Sequence, residues 1–237
     1  MNKFYGIGVG PGDPELITLK ALNVLEKADI IFAPRAKTKE ESLAGEIVEK
    51  VLRKKKDICE LEFPMTNNRE ELRERYCKSA ELILQNIREG KAAAYLTIGD
   101  PLLYSTYIYL VNALLELAPE LIVETIPGIP AYSAVAARFN YSLAEKGEKI
   151  CICPVPEDIE ELRDVIKKND TVVVMKVAKK LPMVIALLEE MGILQNAIFG
   201  SHVGLEGERL IDGRKEPFTL SEKEGYLSTI ILRKGKK

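Results

Sequence analysis

The sequence contains no tryptophan, a single histidine and only four cysteines among its 237 residues. A chain of this length buries a core without disulfides, so we expect reduced thiols. One imidazole, at His202, is too little for a typical transition-metal centre, and no metal is expected. No apolar run approaches the roughly 20 residues of a membrane span, and the start MNKFYGIGVG lacks the layout of a signal peptide. These absences predict a cytoplasmic protein without a membrane partner.

The charges nearly cancel, with 34 Lys and Arg against 36 Asp and Glu and a net charge of −2. This balance removes the main electrostatic reason to expect nucleic-acid binding. Apolar residues make up 46% of the chain and charged residues 30%, which is typical of a globular protein and unlike a disordered one.

Short β-branched or aromatic runs alternate with segments of helical period, which indicates an α/β fold. The segment IPGIPA, residues 126–131, holds two prolines and a glycine and predicts a sharp reversal or hinge. We therefore predict two α/β lobes, residues 1–125 and 126–237. The helices are expected to include 41–56, 68–89 and 106–117, and the run KAAAYLT at 91–97 is expected to form a buried strand.

A glycine-rich loop, Gly6-x-Gly8-x-Gly10-Pro11-Gly12-Asp13, stands between the first strand and the first helix. Glycines there allow close approach of a ligand to the backbone. The dinucleotide pattern fails, because the third glycine would fall at Pro11, and the Walker Lys-Ser/Thr pair is absent. A tight strand-to-helix turn without ligand, or a nucleotide-binding regulatory module, remains open on this loop alone.

The segment Thr97–Thr106 (TIGDPLLYST) follows a predicted strand, where ligands of open α/β sheets bind. Asp100 is a candidate base or ligand contact, and equally a cap for the following helix. Tyr104 and its neighbours offer flat surface for a planar substrate, although tyrosines at helical spacing are usually core residues.

Two further motifs follow in the second half. The small residues after the hinge, Ala134, Ala136 and Ala137, suit either a close ligand approach or tight helix packing. SHVGLEGER, residues 201–209, also ends a predicted strand, and its His202 is more often a structural residue than a ligand. Cys151 and Cys153 are expected to be buried apolar thiols.

Taken in order, four stretches resemble the tetrapyrrole methylase family. They are GVGPGDPELITLKA, TIGDPLLYST, ETIPGIPAYSAVAA, and VVVMK together with SHVGLEGER. The resemblance implies two α/β lobes with mixed sheets, a homodimer, and S-adenosyl-methionine (SAM) as methyl donor in the cleft between the lobes. GDPLLYSTYIYL and SHVGLEGER are most similar to the cobalamin-pathway branch that methylates C-20 of the macrocycle.

The resemblance also implies the site residues. The cofactor contacts carried over are Pro11, Ile98, Gly99, Asp100, Leu103, Ser105, Thr106, Pro130, Ala131, Met175, Val203 and Gly204, with Asp100 as the candidate catalytic residue. The candidates for binding the tetrapyrrole are Gly10, Gly12, Asp13, Arg35, Lys37, Tyr104 and Arg209, since the substrate bears several carboxylates.

The implied reaction transfers a methyl group from SAM to C-20 of cobalt-factor II (cobalt-precorrin-2) and leaves S-adenosyl-homocysteine. Metal-free precorrin-2 and other tetrapyrroles remain alternative acceptors. A carboxylate against the sulfonium would stabilise the ground state more than the transition state. Asp100 is therefore expected to handle a proton, to hold the amino-acid end of SAM, or to shape its loop.

Overall fold

The computed structural model describes residues 3–36, 41–63 and 68–234. Its contacts divide the chain into two compact units, Met1–Pro130 and Ala131–Lys237. The division falls five residues beyond the predicted boundary at 125/126. The reason is that the chain around Gly128 packs against Gly8 and Gly99 of the first unit. The roles expected for the two lobes stay predictions.

The first unit is a five-stranded sheet with helices between its strands. Its elements are β1 (Lys3–Gly8), α1 (Leu19–Lys27), β2 (Ile30–Ala36), α2 (Leu43–Glu49), β3 (Ile58–Phe63), α3 (Arg69–Arg88), β4 (Ala93–Thr97), α4 (Tyr107–Leu117) and β5 (Ile122–Ile126). The strand order is β3-β2-β4-β1-β5, and every pairing is parallel. All five strands therefore end at the same edge, where ligands of such sheets bind.

Local sequence explains most of these elements. All five residues of β4 are buried, as its apolar run predicts for a strand inside a parallel sheet. Thr18 caps α1 and Asn68 caps α3 by accepting backbone N–H bonds. The helix expected over 41–56 is wrong in length, since α2 ends at Glu49. Beyond it, the ammonium of Lys56 instead donates to the carbonyl oxygens of Glu26 and Ala28, at 2.8 and 2.6 Å.

The second unit is built on a separate sheet. Its elements are α5 (Ala131–Arg138), β6 (Ile150–Pro154), α6 (Ile159–Lys168), β7 (Thr171–Met175), α7 (Leu181–Glu190), β8 (Ala197–Ser201), β9 (Arg209–Asp212) and β10 (Ser228–Arg233). The order is β6-β7-β10-β8-β9, with β6 and β7 parallel and the other pairings antiparallel. The predicted α/β class is confirmed, and this second sheet is the mixed one.

Tyr141 ties the region after α5 to the sheet of the second unit. Its hydroxyl donates to the carbonyl oxygen of Asn196 at 2.6 Å and accepts from the backbone amide of Arg233 at 2.9 Å. The phenol ring also lies under the Arg214 guanidinium, 5.0 Å from its centroid. The chain after α5 is therefore fixed to both β8 and β10, the two strands on which α5 packs.

The four cysteines are free thiols that pack against the apolar cores, but all are half-buried, so the expectation of buried apolar thiols is met only in part. Burial, with Cys151 beside it, raises the pKa of the Cys153 thiol to about 11. Within the described ranges, no helix has both the length and the apolar character needed to cross a membrane.

Candidate functional site

Three glycines join the strand ends of the first unit. Gly8 ends β1, Gly99 follows β4 and Gly128 follows β5. A Cβ atom on Gly128 would lie 2.1 Å from the carbonyl oxygen of Gly99, and one on Gly8 would lie 2.5 Å from the amide nitrogen of Gly128. Only glycine permits this contact of backbone against backbone. Glycine at these positions therefore allows three loops to form one cluster at the carboxyl edge of the sheet.

A short bridge extends the cluster into the glycine-rich loop. The amide of Gly99 donates to the carbonyl oxygen of Gly10 at 2.7 Å, and the amide of Val9 donates to the carbonyl oxygen of Thr97 at 2.9 Å. Gly10 and Gly99 adopt φ angles of 79° and 72°, in the left-handed region that favours glycine. Predicted residues Gly10, Ile98 and Gly99 are thus brought together, with Pro130 close to Gly99.

Asp100 uses both carboxylate oxygens on backbone amides. Oδ1 accepts from the amide of Leu102 at 2.9 Å, and Oδ2 accepts from the amide of Gly128 at 3.1 Å. The second bond joins the loop after β4 to the loop after β5, across 28 residues of sequence. Of the three roles considered for Asp100, this geometry favours the shaping of its loop.

The rest of the glycine-rich loop is compact. Pro11 and Gly12 are buried, and Gly12 has a φ of 155°. Asp13 caps a single 3-10 turn at Pro14–Leu16, because its Oδ1 accepts from the amide of Glu15 at 3.0 Å. The Asp13 carboxylate therefore stabilises the turn that follows it, which agrees with the interpretation of this loop as a strand-to-helix turn that binds no ligand.

The entry to α4 has an irregular backbone. Tyr104 has a φ of 51° and is 40% exposed, and Leu103 is half-buried. Ser105 accepts the amide of Tyr107 at 3.0 Å and so performs the capping. Thr106 occupies the cap position but makes no capping hydrogen bond. Burial raises the pKa of Tyr76, and a hydrogen bond with the Thr106 side chain partly offsets this rise.

Arg35, predicted as a substrate-binding cation, lies at the end of β2 between two carboxylates. Its guanidinium is 2.9 Å from Glu60 Oε2 and 3.1 Å from Glu62 Oε2, and its side chain is 24% exposed. A substrate carboxylate would have to displace these partners. Lys37, the second predicted cation, lies outside the described residues.

The second unit concentrates backbone strain at one edge of its sheet. Four residues other than glycine have positive φ there: Lys176 and Ala178 after β7, His202 after β8, and Leu227 before β10, at 55°, 41°, 51° and 47°. The amide of His202 donates to the carbonyl oxygen of Leu227 at 3.2 Å. Such backbone is costly and clusters at functional sites.

The residues predicted for the cofactor in this unit lie at or near that edge. Met175 is the last residue of β7 and pairs with Thr229, and Val203 and Gly204 follow β8, with Val203 buried. Ala131 is the first residue of α5. Arg209 is exposed at the start of β9, where it pairs with Ser201 of β8. Hydrogen bonds from Ser221 lower the pKa of Glu224, and the positive charge of Arg209 adds to this effect.

Sequence reasoning missed the strained residues and the contacts of Glu208, which accepts the amide of Gly204 and pairs with Arg138. No sequence signal predicts a left-handed backbone conformation at a lysine or a leucine. Gly8 and Gly128 were visible as glycines, but their contact joins parts of the chain 120 residues apart. Among the described residues, no group of three or more His, Cys, Asp or Glu side chains is placed to hold a metal ion.

Comparison with known proteins identifies the family to which the chain belongs. Residues 3–216 match the family described as Tetrapyrrole (Corrin/Porphyrin) Methylases. The chain belongs to this family, and the resemblance noted in the sequence is confirmed.

Several relatives match over nearly the whole chain, and two of them carry the name of the same reaction. A Methanocaldococcus jannaschii protein named "Probable cobalt-precorrin-2 C(20)-methyltransferase" is 36% identical, covering 100% of this chain and 98% of the relative. The cobalt-precorrin-2 C(20)-methyltransferase of Salmonella typhimurium is 31% identical, covering 98% and 97%. Among solved structures, the Thermus thermophilus uroporphyrin-III C-methyl transferase complexed with S-adenyl homocysteine shares the fold, with a TM-score of 0.65 at 20% identity over 98% of this chain and 97% of that one.

Proposed function

We propose that this protein is a SAM-dependent methyltransferase that adds a methyl group to C-20 of cobalt-precorrin-2 in cobalamin biosynthesis. The observation that carries the proposal is the similarity to two proteins named for this reaction, over essentially the full length of all three chains. The strand-end loops of both units support it, since they include the residues that the family resemblance assigns to the cofactor.

The residues present fit SAM in chemical character. The first unit offers backbone groups at Ile98 and Gly99 and a buried Thr97 hydroxyl that finds no hydrogen-bond partner among the described residues. The second unit offers the backbone of Val203 and Gly204, which follow the left-handed His202. Neutral donors and acceptors of this kind suit the amino-acid, ribose and adenine groups of SAM.

The charge at the loop cluster also fits a cationic donor that loses its charge in the reaction. Asp100 is the acidic residue of the segment after β4, and both its oxygens accept backbone amides. Its carboxylate is therefore committed to the loop and is not free to stabilise the ground-state sulfonium. The absence of that stabilisation favours the transition state, in which the positive charge is dispersed.

The proposed mechanism depends on positioning. SAM supplies an electrophilic methyl group, and the meso carbon of the macrocycle is electron-rich through its conjugated pyrroles. The loops around Gly8, Gly99 and Gly128 would hold one reactant rigidly, because their backbones are in direct contact. Well-held reactants gain roughly 7–11 kcal/mol over a bimolecular encounter.

For the tetrapyrrole, we propose contacts with the glycine-rich loop, with Tyr104 and with cationic side chains. Arg209 is exposed and suited to a substrate carboxylate. Arg35 can take part if a substrate carboxylate replaces Glu60 or Glu62 in its present ion pairs.

We further propose a cytoplasmic homodimer. Three large apolar side chains of the first unit are exposed near the start of α4: Leu102 at 65%, Ile108 at 42% and Tyr109 at 57%. Exposed apolar groups of this kind are typical of interaction surfaces. The four free thiols support a reducing compartment. Sedimentation of wild type against Ile108→Glu tests the dimer, which the added charge would dissociate.

The function is tested with labelled SAM and, side by side, cobalt-precorrin-2 and metal-free precorrin-2. Transfer to the cobalt form with clear preference supports the proposal. Preference for the metal-free form corrects the substrate and keeps the family activity. In a second experiment, calorimetry measures the binding of SAM, ATP and NAD. If the protein binds a nucleotide but not SAM, the methyltransferase assignment is overturned in favour of a nucleotide-binding module.

A further inference from the structure

A carboxylate adds a side-chain contact to the backbone hydrogen bonds of the loop between β8 and β9. The two strands pair up to Ser201 and Arg209, so residues 202–208 form the connection. Within it, Glu208 Oε2 accepts the backbone amide of Gly204 at 2.7 Å. The side chain thus folds back over its own loop and binds the peptide unit between Val203 and Gly204.

The same oxygen reaches a second element of the unit. The Arg138 guanidinium lies 3.3 Å from Glu208 Oε2, and Arg138 is the last residue of α5. The Glu208 side chain is only 26% exposed in this contact. Glu208 therefore joins α5 to the loop after β8, two segments that both carry residues assigned to the cofactor, Ala131 and Val203–Gly204.

The loop needs such a fixed point. His202 and Gly204 have φ angles of 51° and 78°, and Gly207 has one of 81°. Left-handed backbone at a residue other than glycine persists only where its surroundings determine it. The carboxylate of Glu208 supplies one of these determinants by holding the amide two residues after His202.

We propose that Glu208, oriented by Arg138, is a positioning residue that presents the Val203–Gly204 backbone to SAM. The inference rests on the proposed function, because it assumes that this backbone contacts the cofactor. It assigns Glu208 no contact with SAM and no proton transfer. Its effect is on the affinity for SAM, since a loop released from Glu208 must be ordered again when the cofactor binds.

Variants of Glu208 separate the hydrogen bond from the charge. Glu208→Ala removes the acceptor for the Gly204 amide, and we expect the Kd for SAM to rise about tenfold, as for the loss of one charge-assisted hydrogen bond. Glu208→Gln keeps a carbonyl oxygen for that amide and loses only a partly exposed ion pair. We expect its Kd to stay within about threefold of wild type.

The control is Glu206→Ala, an exposed acidic residue of the same loop. Kd is measured by calorimetry, with KM for SAM, kcat at saturating SAM and melting temperature recorded for each variant. We expect Glu208→Ala to raise Kd and KM together and to leave kcat within about twofold. Equal Kd values for Glu208→Ala and Glu206→Ala, or a fall in kcat without a change in KM, would overturn the inference.

The design separates this inference from the proposed function. If wild type fails to bind SAM, the proposed function falls and the inference falls with it. If wild type binds SAM and Glu208→Ala binds equally well, only the inference falls. Should Glu208→Ala not fold, Glu208→Met takes its place, because it also removes the acceptor for the Gly204 amide while it keeps the length of the side chain, and the same rise in Kd is expected.

Discussion

Replacing Asp100 by asparagine distinguishes a loop-shaping carboxylate from a catalytic one. Asp100 accepts two backbone amides, those of Leu102 at 2.9 Å and Gly128 at 3.1 Å. An asparagine has one carbonyl oxygen and one amide group. Whichever way the side chain lies, one backbone N–H then faces a donor instead of an acceptor. Asp100→Asn should therefore damage the loop almost as much as Asp100→Ala, although its shape is conserved.

The magnitude follows from the two bonds. A hydrogen bond to an ionised acceptor contributes about 1.5–3 kcal/mol, and the half-buried position of Asp100 favours the lower end. We expect about 3 kcal/mol of lost stability for Asp100→Ala and about 2 kcal/mol for Asp100→Asn. At 2–4 °C per kcal/mol for a chain of this size, Asp100→Asn should melt about 4–8 °C lower.

The assay compares melting temperature, SAM affinity and turnover. Because the bond to Gly128 fixes two of the loops at the candidate site, we expect SAM affinity to fall about tenfold or more, with turnover falling in parallel. Asp158→Asn is the matched control, since Asp158 accepts a single amide at the start of α6 and asparagine can replace it there. An Asp100→Asn protein with unchanged melting and SAM affinity but a hundredfold lower kcat would refute the reasoning.

Three further predictions concern other parts of the chain. Gly128→Ala should destabilise the first unit by several kcal/mol in a denaturant titration, since its Cβ would lie 2.1 Å from a carbonyl oxygen of the loop after β4. The hydrogen bond from Arg214 lowers the pKa of Asp212 in the folded protein. This carboxylate therefore stabilises the fold at pH values above its unfolded pKa of about 3.9. That stability is lost as pH falls through the folded pKa, and Asp212→Asn should flatten the acid limb of melting temperature against pH. The Cys153 thiol, with a pKa raised to about 11 by burial and by Cys151, should react with iodoacetamide at pH 7.5 far more slowly in the native protein than in urea, as mass spectrometry can measure.

The sequence predicts the elements better than their arrangement. The strand predicted at 91–97 and the helix predicted at 68–89 are found as β4 and α3 within one or two residues, because burial and amphipathicity depend on local pattern. Strand β9 was not predicted, since its four residues, RLID, carry charge at both ends and depend on pairing with β8. The strand order β3-β2-β4-β1-β5 is likewise a tertiary property that no local pattern encodes.

The candidate site shows the same limit. The glycines and Asp100 were recognised from their motifs, but the partner of Asp100 is Gly128, on another loop. An aspartate that precedes a helix can act as a base, cap the helix or shape its loop. The sequence looks the same in all three cases, so it does not distinguish the three roles of Asp100. The left-handed conformations of Lys176 and Leu227 arise from the packing of their strand ends, and their side chains give no hint of it.

The central claim is tested most directly by incubating the protein with methyl-labelled 13C-SAM and cobalt-precorrin-2 and locating the new carbon–carbon bond by NMR. The account predicts one labelled methyl group per macrocycle, attached at C-20. A labelled methyl group at any other ring carbon, or no transfer from a protein that binds both reactants, would contradict it.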